Sequence, residues 1–167
     1  MTMSKIVFKV GDDISTDVIY PGRFMATVLP TETPQFAFAD YTEFNTQLKN
    51  KTFPPNSIIL GGANFGCGSS REQAASTLKG HELIIIAKGF SRIFIQNAIN
   101  LGLRTIICPE IEGELNDEIE IKENKLTNMR TKKTYEIVPL PKARQAIVDA
   151  GGLIEYTRRR VLEKHAK

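Results

Sequence analysis

The stretch Gly61-Gly62-Ala63-Asn64-Phe65-Gly66-Cys67-Gly68-Ser69-Ser70-Arg71-Glu72-Gln73 sets two hydroxyls and a fixed cation at the end of a glycine-rich turn. Four glycines within eight residues let a backbone turn sharply and approach a ligand closely. The guanidinium of Arg71 is a planar fork that suits a carboxylate or a phosphate. Ser69 has Glu72 three residues on and Ser70 has Gln73, so either serine is spaced to close a capping box at a helix start. Such a terminus, with its free N–H groups, attracts anions.

Several known phosphate and nucleophile turns do not fit. No Gly-Lys-Ser/Thr follows the glycines, and a GxGxxG pattern fails because Arg71 stands where its third glycine would be. Ser69 also lacks the flanking glycines of a nucleophile elbow, and His81 and His165 are the only histidines. The residues alone leave two readings open, a structural capping turn and an anion-binding site.

These side chains need elements to hold them. Ile58, Ile59 and Leu60 predict a buried strand entering the turn, and a helix from Ser70 to about Lys79 leaves it. Residues 6–10 alternate like a strand, and Gly11-Asp12-Asp13 follows as a turn. Leu83 to Ala87 and Arg104 to Cys108 are further strands, separated by a helical period through Phe90, Ile93, Phe94, Ala98 and Leu101. Strand, helix, strand, helix, strand predicts an α/β fold. Tyr41, Phe44 and Leu48 share one helical face, and 118–122, 125–129 and 134–138 predict a small antiparallel section. Two helices, about 142–150 and 153–165, close the chain around Gly151-Gly152. The apolar segment Phe24 to Pro30 is bounded by proline and glycine and reads as a loop, either covering a pocket or packing on the core.

At 167 residues the chain fits one domain, which we take to run over 1–167. It is 41% apolar and 25% charged, and no apolar run nears the ~18 residues of a membrane span. Without an apolar leader after Met1, a cytoplasmic location is the expectation. A net charge of +3, with basic residues interleaved among 19 acidic ones, gives no ground for nucleic-acid binding. Arg158-Arg159-Arg160 reads as a solvated helix face. With Cys67 and Cys108 the only cysteines, the chain lacks the three or four thiolates that an iron–sulfur cluster takes.

Gly66 to Glu72, Ala87-Lys88-Gly89-Phe90-Ser91-Arg92-Ile93-Phe94, Asn97 to Leu103, Asp13-Ile14-Ser15-Thr16-Asp17 and Ile19-Tyr20-Pro21-Gly22-Arg23, in order over about residues 6–108, resemble the small subunit of 3-isopropylmalate dehydratase. That subunit is the swivelling β/β/α domain of the aconitase family, a mixed sheet flanked by helices. The resemblance implies a hydro-lyase split over two chains, acting in leucine biosynthesis on a small branched hydroxy-dicarboxylate. A large subunit would carry a 4Fe-4S cluster, in a heterodimer or heterotetramer, and this chain would bind no metal or cofactor. It also implies that Ser69 is the catalytic base and that Ser70 and Arg71 bind substrate. Phe24-Met25-Ala26-Thr27 falls on the family's substrate-selecting loop, and Asp17, Arg23, Gly66 and Gly68 would support the site.

Two positions bear on the substrate. Gln73 stands where most relatives have histidine, which removes a titratable group. Ala26 offers a small apolar surface where an arginine would favour a third carboxylate, as in homoaconitase, so Met25 and Ala26 suit a branched alkyl group. Small subunits of homoaconitase or of a dimethylmalate or methylmalate dehydratase are the alternatives within the family. A non-catalytic anion-binding module, or a structural partner that supplies no base, is the alternative outside enzyme chemistry.

Overall fold

The computed structural model describes residues 1–166. Seven strands form one mixed sheet: β1 (Thr2–Lys9), β2 (Ile58–Gly61), β3 (Ile84–Ala87), β4 (Arg104–Ile107), β5 (Glu118–Lys122), β6 (Lys125–Asn128) and β7 (Thr134–Glu136). Their order across the sheet is β4-β3-β2-β1-β5-β6-β7. The first four run parallel, and β5, β6 and β7 join antiparallel through β1. The predicted α/β half and antiparallel section are therefore one sheet hinged on β1, whose strand begins earlier than its alternation indicated.

β2 and β3 are buried along their whole length, as continuous apolar strands covered on both faces must be. Alternate residues serve two cores. Ile59, Ile85 and Ala87 face helices together with Phe65, Ala74, Leu78, Phe94 and Ala98. Ile58, Leu60, Ile84 and Ile86 face the other way and share a core with Ile119, Ile121, Leu126 and Tyr135 of the antiparallel strands. For the same strand faces to meet side chains from both halves, the sheet must curl over itself. Each buried isoleucine or leucine favours that closure by roughly 1.5–3 kcal/mol.

The helices are α1 (Thr16–Ile19), α2 (Thr42–Lys49), α3 (Glu72–Lys79), α4 (Arg92–Leu101), α5 (Lys142–Asp149) and α6 (Leu153–His165). Phe44 and Leu48 of α2 are buried, and Phe44 stacks on Phe8 of β1 at 3.9 Å. α5 ends at Asp149, and past its cap Gly151, with a positive φ of 93°, lets the Gly151 and Gly152 N–H groups return to the Val148 and Ile147 carbonyls. α6 buries none of its side chains, and Arg158 pairs with Glu155 at its surface. Among the described residues no helix is long and apolar enough to cross a membrane.

Candidate active site

β2 delivers the glycine turn and α3 receives it, but the capping boxes expected at Ser69 and Ser70 do not form. α3 begins at Glu72, two residues later than predicted, and Arg71 occupies the N-cap position with no side-chain capping bond. The reason is backbone geometry. Gly68 has φ +96°, and Arg71 has ψ 110°, so the chain stays open through the serines instead of winding into the helix. Both serines are exposed as a result.

The turn is seated by two long-range partners. On one side Phe65 N donates to Gly89 O at 3.0 Å and Ser91 N donates to Phe65 O at 2.9 Å, which places the turn against the start of α4. On the other, Gly66 N donates to Ile14 O at 2.7 Å and Thr16 N donates to Cys67 O at 2.8 Å, which binds it to the segment entering α1. Gly66 packs so closely on the Phe94 ring that no side chain fits there, and its φ is +81°.

That second seat gathers the polar side chains. Thr16 Oγ1 lies 3.1 Å from Ser69 Oγ and 3.1 Å from Ser69 O. Asp17 Oδ1 accepts from Arg71 Nη1 at 2.5 Å and from Gly22 N at 2.8 Å. The Arg71 guanidinium, helped by the Gly22 amide, holds the Asp17 carboxyl below the usual carboxylate range. Arg71 Nη1 also donates to Tyr20 O at 3.1 Å. Its Nη2 and Nε have no protein acceptor among the described residues, nor do the backbone N–H groups of residues 69–73.

Met25, Ser69, Ser70, Arg71, Glu72 and Gln73 line one open concavity of about 450 Å³. Of the expected loop residues only Met25 reaches it. Phe24, expected to meet substrate, is half-buried and stacks on Phe36 at 4.1 Å because the aromatic core beneath the loop takes its ring. Ala26 is exposed beside Met25, and the Thr27 carbonyl lies 3.2 Å from the Tyr20 hydroxyl, which also reaches Phe24 O at 3.1 Å. Arg23 pairs with Asp40 at 2.5 Å and lies over the Phe24 ring, so its contact is with the loop and not with the serines. Gln73 Nε2 reaches Met25 O at 3.5 Å, a tether from α3 to the loop.

Sequence reasoning gave no role to Thr16 or Tyr20, both fully or almost fully buried. Their only local signal was a place beside Asp17 in the same short segment. Two other features are inert by comparison. Cys108 is buried with its Sγ toward Glu136 O, and burial pushes its thiol up to about 11. Among the described residues no three His, Cys, Asp or Glu side chains come together as a metal site. A depression of about 410 Å³ beyond β1 and β2 contains Lys9 and Arg130, but these are paired with Glu114 and Asp117.

Residues 14–111 match the sequence profile of the aconitase C-terminal domain. The 3-isopropylmalate dehydratase small subunit of Methanosarcina mazei is 40% identical over 162 residues, covering 94% of this chain and 97% of the relative. A protein of Methanocaldococcus jannaschii described as isopropylmalate/citramalate isomerase small subunit is 37% identical over 163 residues, 94% of each chain. A crystal structure of 3-isopropylmalate dehydratase from Methanocaldococcus jannaschii superposes with a TM-score of 0.87 at 35% identity, covering 99% of both chains.

Proposed function

The chain belongs to the aconitase C-terminal domain family, among the 3-isopropylmalate dehydratase small subunits, and from that membership we propose that it is the substrate-closing, base-bearing half of such an enzyme. The reaction interconverts 2-isopropylmalate and 3-isopropylmalate by dehydration and rehydration, a step of leucine biosynthesis in the cytoplasm. The partner is a large chain, as heterodimer or heterotetramer, bearing a 4Fe-4S cluster; bound there, the cluster supplies Lewis acidity for the departing hydroxide. This chain's own residues are not suited to hold it.

The single observation that carries the reading is the convergence of Ser69 and Arg71 on one concavity whose amide N–H groups point to no protein acceptor. In the elimination, Ser69 as alkoxide takes the proton from the carbon beside a carboxylate. The C–H electron pair becomes the double bond, and the C–O pair leaves with hydroxide. In rehydration hydroxide adds to one carbon of the double bond, and the displaced π pair takes the proton back from Ser69 at the other carbon, leaving Ser69 as alkoxide again. A serine hydroxyl is a very weak acid, so its anion needs preorganised donors, and the unpaired amides with the start of α3 provide them. The Nε and Nη2 edge of Arg71 binds a substrate carboxylate side-on while Nη1 stays on Asp17. Ser70 adds a hydroxyl to the same opening, and Glu72, also at its rim, disfavours a further anionic group.

Met25, with the exposed Ala26 beside it, presents an apolar edge to the branched alkyl group. The same edge suits a methylated malate, and the relative named for both isopropylmalate and citramalate keeps that second reading in view. The test is reconstitution with the cognate cluster-bearing chain and assay of isopropylmalate, methylmalate, dimethylmalate and homoaconitate. Isopropylmalate should give the highest kcat/KM, and Ser69→Ala should lower kcat by roughly 10²–10⁴-fold with the fold retained. Near-normal turnover of Ser69→Ala would reject the base.

A further inference from the structure

Thr16 opens α1 and is 1% exposed, yet its hydroxyl faces the exposed Ser69. Oγ1 lies 3.1 Å from both Ser69 Oγ and Ser69 O. A threonine hydroxyl carries one proton and two lone pairs, so it donates to only one of these oxygens at a time. While Ser69 keeps its proton, the complementary arrangement has Thr16 donating to the Ser69 carbonyl and accepting from the Ser69 hydroxyl. Once Ser69 is deprotonated it has nothing to donate. Rotation about the Thr16 Cβ–Oγ1 bond then turns the same proton onto the serine oxygen and releases the Ser69 carbonyl, whose residue is exposed. A hydrogen bond to an anion is about twice as strong as one between neutral groups, so the exchange favours the charged serine.

We propose that Thr16 is a positioning residue for Ser69, a buried hydroxyl rotor that follows the serine's charge and stabilises its anionic form. The inference rests on Ser69 being the base. The rotor is mounted rigidly: Thr16 N donates to Cys67 O at 2.8 Å, and Tyr20 N donates to Thr16 O at 2.9 Å. Burial limits competition from water, so the proton has few other acceptors.

The test uses the reconstituted two-chain enzyme carrying Thr16→Val, Thr16→Ser or Ser69→Ala, with kcat and KM followed against pH. Thr16→Val keeps the side chain's shape without the rotor. It should lower kcat about tenfold, leave KM within about twofold, and move the limb for loss of the base's proton up by about one pH unit, since one unit and a tenfold change are the same free energy. Thr16→Ser should restore kcat and the limb. A purely structural role predicts slowed turnover with an unmoved limb, or no rescue by serine, and either result overturns the proposal. Should the valine variant not fold, Thr16→Ala read against Thr16→Ser makes the same comparison, and equal kcat for the two overturns it. A wild-type profile for Thr16→Val beside an inactive Ser69→Ala rejects the rotor and leaves the base standing; an active Ser69→Ala rejects the base itself.

Discussion

Asp17 Oδ1 sits 2.5 Å from Arg71 Nη1, joining residues 54 positions apart in the chain. The aspartate side chain is 64% exposed and the arginine only 19%, so the pair is anchored from the arginine's side. Its consequence is orientation. With Nη1 committed to Asp17 and to Tyr20 O, the guanidinium plane is fixed before any ligand arrives, and Nη2 and Nε keep no protein acceptor among the described residues.

Arg71→Lys tests that orientation. A lysine ammonium keeps the charge but cannot hold Asp17, the Tyr20 carbonyl and a substrate carboxylate in one plane. Loss of a charge-assisted bond of about 1.5–3 kcal/mol should lower kcat/KM roughly ten- to a hundredfold, with little change in melting temperature. Steady-state kinetics and thermal melts of the same preparation check it.

The loop over the opening should set substrate preference. Ala26 is exposed next to Met25, which lines the concavity. Ala26→Arg should shift kcat/KM toward a tricarboxylate by roughly ten- to a hundredfold relative to the branched dicarboxylate. An unchanged ratio in competition assays would remove the loop from selection.

Two glycines of the turn should respond differently to alanine. At Gly66 an added Cβ collides with the Phe94 side chain and φ is +81°, so overpacking and backbone strain add, at roughly 2–5 kcal/mol together. At Gly68 the nearest atom to that Cβ is 3.6 Å away, leaving only the strain of φ +96°, about 1–2 kcal/mol. Urea unfolding of the two variants should rank them in that order.

Acid stability should depend on Asp117, whose side chain is only 4% exposed. It accepts from Arg130 Nε at 2.5 Å, Asn128 Nδ2 at 2.7 Å and Glu114 N at 2.9 Å, and these donors, Arg130 foremost, hold its carboxyl well below the usual range. A depressed folded-state pKa means stability that is full above the unfolded value of about 3.9 and lost as pH falls toward the folded one. Asp117→Asn should therefore cost roughly 1–3 kcal/mol at pH 7, and the gap from wild type should shrink below about pH 4. Urea unfolding from pH 7 down to pH 3 measures it.

The serine turn, the buried isoleucine strands and the helical faces could be read from the chain because each is written in neighbouring residues. An apolar run, a period or a pair of glycines needs no knowledge of distant partners. The antiparallel strands were legible for the same reason, yet their place beside β1 was not, because strand alternation does not name the strand it pairs with. The start of α3 misled: two capping boxes were spaced correctly at Ser69 and Ser70, but a left-handed glycine and an extended arginine overrode them. Thr16 against Ser69 and Asp17 against Arg71 were decided by tertiary structure alone. They meet across more than fifty residues because Ile14 and Thr16 exchange backbone hydrogen bonds with Gly66 and Cys67, and sequence pattern carries no record of that pairing.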